Sequence, residues 1–221
     1  MRQLALELTQ TPEPTTANFF PGHNGAALAA LAEALGEGER FVYLWGAPGS
    51  GKTHLLRAFS ARAAESGLST AYVHGSRWDA TEGLAALAVD DVQALEASGQ
   101  LRLFDLCNGL RASNGVLAAA ADRPPADLPL REDLRSRLAS GLVLHLQVLS
   151  DEEKEQALKA HAARRGIALG EDVAGYLLKR VARDMGTLIA ALDALDRLSL
   201  ELKRPITLAL AREAIHESTP R

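Results

Sequence analysis

At 221 residues the chain is long enough for one large core or two small ones. Hydrophobic residues make up 47% and charged residues 24%, as in an ordinary globular protein, and the formal net charge of −4 provides no bulk attraction for nucleic acid, whose partners present a basic face. The single cysteine, Cys107, cannot form an internal disulfide and fits a reducing cytoplasm, and charges interrupt every apolar run well short of the roughly 18 residues a membrane span needs.

The stretch RQLALELTQ alternates Leu4, Leu6 and Leu8 with Ala5, Glu7 and Thr9, a period-two pattern with one apolar side. Glu7 breaks the apolar run, so no cleavable leader is expected there. TQTPEPTT reads as an extended linker, because Pro12 and Pro14 deny it helix and ladder bonds. NFFPGHNG is a turn, and AALAALAEALG has a helical period that ends at Gly36. RFVYLWG, apolar and bounded by glycines, predicts a buried parallel strand, and a helix follows from Lys52 to Ser66, closed by Gly67. LSTAYVHG and AALAVDD predict two more strands with a short connection. An amphipathic helix is expected over 100–111, a strand over 115–121 and a fifth strand over 141–149.

At Ser150 the pattern changes. Ser150 and Glu153 form a capping box, and four helical patterns follow with only a short extended piece near Ile206. The expected class is therefore α/β, a doubly wound parallel sheet followed by an all-helical part, with ligands at the carboxyl ends of the strands.

GAPGSGKT satisfies G-x-x-x-x-G-K-[ST] and lies between a strand and a helix. Backbone N–H groups from Gly46, Ala47, Pro48, Gly49, Ser50 and Gly51 onward would face a polyphosphate (Pro48 contributing only shape), with Lys52 on the terminal phosphates and Thr53 on Mg²⁺. In LAVDDVQ, Asp90 and Asp91 end a buried strand. Asp90 would hold the Mg²⁺ shell and Asp91 orient or deprotonate water. Taken alone, such a pair is often a solvated turn; downstream of an intact phosphate loop the functional reading wins. The histidines His23, His54, His74, His145, His161 and His216 show no metal-ligand spacing, so a zinc site is not expected.

Three further stretches narrow the reading: AAAADRPP with Asp122, LREDLRSRLASGL with Arg131, Arg135 and Arg137, and the late helix RDMGTLIAALDALDRL. With these, the sequence resembles the AAA+ module of the bacterial initiator DnaA, and most closely the Hda family of short DnaA-related proteins that inactivate that initiator. The resemblance covers roughly residues 18–215. It implies a P-loop AAA+ module with a five-stranded parallel sheet (18–149), a small helical lid (150–221) and an N-terminal peptide and linker (1–17). It also implies a nucleotide site of Gly46 to Thr53 with His54, Asp90 and Asp122, holding ADP or ATP with Mg²⁺ on Thr53 and Asp90. Phe19 and Phe20 lie where the family surrounds the adenine, although burial in the core explains them equally well.

By the same resemblance, Arg137 in LRSRL matches the arginine finger, while Arg131 and Arg135 are left as rim charges; a surface salt bridge is the alternative for Arg137. Gln3, Leu4, Leu6 and Leu8 match a peptide that docks in the groove of the polymerase sliding clamp. One departure is visible: the family's lid arginine is replaced by Gly186 in Met185-Gly186-Thr187-Leu188, with Arg183 one turn earlier. From Ser150 onward twelve acidic residues balance twelve basic ones, so no basic recognition helix is expected and no sequence-specific DNA binding.

The expected function is negative regulation of replication initiation, with DnaA and the clamp as partners, a nucleotide-dependent tendency to self-associate, slow or absent intrinsic hydrolysis and a cytoplasmic, replisome-associated location. The alternatives are a DnaA-like adaptor or helicase-loading factor that does not stimulate hydrolysis, and a self-contained P-loop ATPase or small-molecule kinase.

Overall fold

A computed structural model describes residues 13–78, 83–181 and 184–216, which divide into two compact units, 14–148 and 149–216. The first unit is built on five strands: β1 Phe41–Trp45, β2 Thr70–His74, β3 Ala86–Asp90, β4 Val116–Ala121 and β5 Leu142–His145. They form one sheet in the order β2-β3-β4-β1-β5, and every neighbouring pair is parallel. Helices α1 Gly25–Ala34 and α2 Lys52–Glu65 cover one face, while α3 Ala97–Ala112 and α4 Glu132–Ala139 cover the other.

The central strands are buried throughout, and their sequences, ALAVD and VLAAAA, are apolar up to the terminal aspartate of β3. Alternation then sorts the side chains. Leu87, Val89, Leu117 and Ala119 pack with Leu103, Cys107 and Leu134, whereas Ala86, Ala88, Val116 and Ala118 pack with Leu55, Leu56 and Phe59. Small alanines on the second face let α2 lie close to the sheet, which brings its N-terminus to the strand ends. Cys107 is fully buried, and burial pushes its thiol up to about 12, so it acts as a small hydrophobe.

Two elements differ from expectation. Helix α3 begins at Ala97, not Gln100, because Gly99 is buried in its first turn, where an added Cβ would lie 3.0 Å from the Leu95 side chain. The glycine there serves close packing and does not break the helix. The fifth strand ends at His145, short of residue 149. One further ladder bond follows, from Leu146 N to Trp45 O at 2.7 Å. Then the buried Asn24 carboxamide takes over: its Nδ2 donates to Gln147 O at 2.9 Å and its Oδ1 accepts from Gln147 N at 2.8 Å.

The second unit holds α5 Asp151–Arg164, α6 Glu171–Arg180, α7 Met185–Leu202 and α8 Leu208–His216 around a core that includes Leu158, Leu177, Leu192 and Leu210. Ser150 and Glu153 close a reciprocal capping box on α5, and Asp184 caps α7 by accepting from Thr187 N. Residues 204–207, around Ile206, connect α7 to α8 without forming a strand. The buried Asp193 accepts from Arg165 at 2.5 Å and lies 3.1 Å from His161, and Arg165 also reaches Asp196 at 3.0 Å. Among the described residues no helix is long and apolar enough to cross a membrane.

Candidate functional site

The parallel register brings three loops to one end of the sheet. Trp45 lies beside Ala121, so the loop after β1 and the residue after β4 start side by side, and Gly46 N donates to Ala121 O at 3.3 Å. His74 lies beside Asp90, which aligns the ends of β2 and β3. Residues 46–51 connect β1 directly to the N-terminus of α2, where backbone N–H groups and the helix dipole favour an anion.

The loop's shape depends on its glycines. A Cβ at Gly46 would stand 2.3 Å from Leu146 O, so the segment after β5 tolerates nothing larger. Gly51 has φ +96°, and a Cβ there would meet the Phe19 ring at 2.8 Å. Phe19 in turn lies 5.5 Å, centroid to centroid, from the His54 ring, and His54 Nε2 donates to Thr15 O at 2.9 Å. Burial lowers the His54 pKa, with the Thr15 carbonyl opposing, so the neutral ring is favoured.

The donors fit a polyphosphate. Lys52 is buried, and its ammonium turns onto the loop's own carbonyls, donating to Gly46 O at 2.6 Å and Ala47 O at 3.0 Å. Burial lowers its pKa, while the charges of Asp91, Asp90 and Asp122 pull it back up. The Ser50 hydroxyl is buried and has no hydrogen-bond partner among the described residues. Such an orphan costs about 1–3 kcal/mol and is expected where a ligand supplies the missing bond. Ala47, Pro48 and Gly49 form the exposed crest of the loop.

The two aspartates are held differently. Asp90 is 1% exposed. Its Oδ2 accepts from Thr53 Oγ1 at 2.6 Å and from Tyr72 Oη at 2.9 Å, and its Oδ1 accepts from Asp91 N at 3.0 Å. Having donated its one proton to Asp90, the Thr53 hydroxyl keeps its lone pairs for a cation. Thr53 and Asp90 thus fit Mg²⁺, which neutralises phosphate charge when bound. Asp91 sits in the left-handed region, φ 47°, so the chain turns sharply and its side chain diverges from that of Asp90. Its Oδ1 accepts from Gln93 Nε2 at 2.9 Å and its Oδ2 lies 2.8 Å from His74 Nε2. His74 Nδ1 accepts from Ser76 N at 3.3 Å and lies 2.9 Å from Ser76 Oγ, which leaves the proton on Nε2, facing Asp91.

Asp122 follows β4 and is paired with its neighbour Arg123, whose Nε and Nη2 donate at 2.9 and 2.8 Å; this hydrogen bonding is the main reason its carboxyl titrates below the ordinary value. Tyr43 Oη donates to Arg123 O at 2.8 Å and fixes the turn. Arg137 is not brought to the phosphate loop. It projects from α4 over the Phe104 ring of α3, 5.8 Å from guanidinium carbon to centroid, and forms no ion pair among the described residues. Its two neighbours are engaged: Arg131 with Asp133 at 2.6 Å, and Arg135 with the Ala126 carbonyl at 2.9 Å. Gln3, Leu4, Leu6, Leu8 and Arg183 lie outside the described residues. Gly186 is the second residue of α7.

The residues that sequence reading missed are Tyr72, His74 and Gln93. Gln93 stands two positions after Asp91 in the quoted motif, and this spacing was the signal available for it. Tyr72 and His74 reach the site only through the pairing of β2 with β3.

Residues 151–215 match the protein family described as Hda, lid domain. Among solved structures, the chain is similar to domain III of the replication initiation protein DnaA from Thermotoga maritima, with 24% identity, 95% of this chain and 98% of that one covered, and a TM-score of 0.74. It is also similar to the AMPPCP-bound DnaA from Aquifex aeolicus, with 23% identity, coverage of 87% and 70%, and a TM-score of 0.70. A structure of RuvB from Thermotoga maritima, carrying a single substitution, matches at 20% identity over 96% and 76%, with a TM-score of 0.68. These likenesses establish the fold: a five-stranded parallel sheet flanked by helices, followed by a small helical unit.

Proposed function

We propose that this chain, a DnaA-related AAA+ protein whose residues 151–215 match the Hda lid-domain family, is a negative regulator of replication initiation. In this reading it binds ADP or ATP with Mg²⁺ through Gly46 to His54, Asp90 and Asp122, and binds the sliding clamp through Gln3, Leu4, Leu6 and Leu8. It then presents Arg137 to ATP held by DnaA. A match to the Hda lid-domain family, later in the same sequence as a complete phosphate loop, is the observation that carries the reading.

Arg137 supports the division of labour. A guanidinium with no carboxylate partner among the described residues, resting on an aromatic face away from its own phosphate loop, can leave Phe104 at little cost to meet another molecule's phosphate. A planar cation placed against charge developing on a transferring phosphoryl group is worth about 10³-fold or more. The chain's own hydrolysis is slow for a complementary reason: His74 and Gln93 each take one acceptor position on the two Asp91 oxygens and hold the carboxylate's direction. Lys52 would bind and orient phosphate, Thr53 and Asp90 would hold the cation that neutralises its charge, and Phe19 and His54 would flank the base beside the loop.

The test is the rate of ATP turnover by DnaA in the presence of clamp loaded on DNA. Adding this protein accelerates turnover, and removing residues 1–8 abolishes both the acceleration and clamp binding. An unchanged rate overturns the reading, and co-purification with the replicative helicase in place of the clamp favours an adaptor role.

A further inference from the structure

Tyr72 points at the same carboxylate as Thr53. It sits on β2 in register with Ala88, so its phenol crosses diagonally to the residue two places further along β3, which is Asp90. The ring is fixed on both sides: it packs against the cluster containing Leu55, Leu56 and Ala88, and the Arg57 guanidinium lies 5.2 Å from its centroid.

The hydrogen-bond count at Asp90 gives this contact its meaning. A carboxylate offers about four lone-pair positions. Two on Oδ2 are filled, by Thr53 and Tyr72, and one on Oδ1 is filled by Asp91 N. One acceptor position remains, on Oδ1. With the Tyr72 donor removed, Oδ2 keeps a single partner in a buried site and the carboxylate gains a rotation about χ2. The remaining acceptor, and the Thr53 hydroxyl bonded to the same group, then lose their fixed direction.

We propose that Tyr72 is a positioning residue for the divalent cation: by saturating Asp90 Oδ2 it orients the carboxylate and the Thr53 hydroxyl toward the metal. This rests on the reading of the loop as a Mg²⁺–nucleotide site. Partners that orient metal-binding groups typically contribute 10–100-fold to metal affinity, so about tenfold is expected here.

The experiment uses the full chain and its Tyr72→Phe variant, which keeps the ring and its packing. Binding of a fluorescent ATP analogue is titrated across Mg²⁺ concentrations, in parallel with an arm containing EDTA, and thermal unfolding is recorded for both proteins. The expected result is a Mg²⁺ midpoint about tenfold higher in the variant, with unchanged nucleotide affinity in EDTA and an unfolding midpoint close to that of the parent. An unshifted Mg²⁺ midpoint overturns the positioning role and leaves the nucleotide reading intact. Equal weakening in both arms overturns it in favour of a structural role. Absence of binding by the parent chain in either arm overturns both.

Discussion

His74 Nε2 lies 2.8 Å from Asp91 Oδ2, so the last residue of β2 takes one acceptor position on the aspartate proposed to act on water. Both side chains are more than a third exposed, so their contact contributes little to stability, about 0–1 kcal/mol. Its effect falls on chemistry. His74→Ala frees that acceptor position while Gln93 still holds one on the other oxygen, and basal ATP turnover by the isolated protein is expected to rise about three- to tenfold. His74→Asn, which retains a donor, stays near the parent rate. Steady-state phosphate release measures both, and a fall in the alanine variant would show that His74 aligns Asp91 and does not block it.

Arg137→Ala removes a cation resting on Phe104, a contact between two half-buried side chains worth about 0.5–2 kcal/mol. Its unfolding midpoint and nucleotide affinity are expected to match the parent's, while acceleration of DnaA turnover drops by about 10³-fold. Arg137→Lys is expected not to restore it, because a point charge does not reproduce the planar fork. Full stimulation by the alanine variant removes the finger assignment.

Close approach at the phosphate loop predicts an order among glycine substitutions. Gly46→Ala drives a Cβ to 2.3 Å from Leu146 O and is expected to lower stability by about 2 kcal/mol or more. Gly49→Ala meets no atom within 4 Å and carries only the strain of φ +81°, about 1 kcal/mol. Urea unfolding compares them, and a larger loss at Gly49 would contradict the packing at Leu146.

Burial holds the His54 imidazole below its ordinary pKa of 6.5. The unfolded chain therefore binds a proton first, so this residue's contribution is fully present above about pH 6.5 and is lost as the pH falls from there through the folded-state value. Acid loss of stability between about pH 7.5 and about pH 5.5 is expected to be shallower in His54→Gln than in the parent. Urea midpoints at the two pH values test this, and identical slopes would count against burial as the cause.

Much of the first unit is legible in its sequence because buried parallel strands and a phosphate loop are local patterns: FVYLW, GAPGSGKT and LAVDD each announce their element. The limits are equally physical. Residues 97–99 are left out of the expected helix because nothing local shows Leu95 packed against Gly99, and residues 141–149 read as one strand because nothing local shows that Asn24, far along the chain, takes the outward-facing backbone groups of Gln147. His74 has no metal-ligand spacing to draw the eye, and its partner becomes a neighbour only when β2 pairs with β3. The same pairing hides Tyr72.

The Asn24 carboxamide has a further consequence, for solubility. Strand β5 is the outer margin of the sheet, and Leu142 and Val143 on it are 41% and 38% exposed, the kind of bare rim onto which a foreign strand can add. Because Leu146 N turns inward to Trp45, the backbone groups of Gln147 face outward, and Asn24 occupies both of them. One side chain thus confines the adhesive rim to the short strand itself. Asn24→Ala would extend it, and clumping during refolding at high concentration is where the change would first be felt.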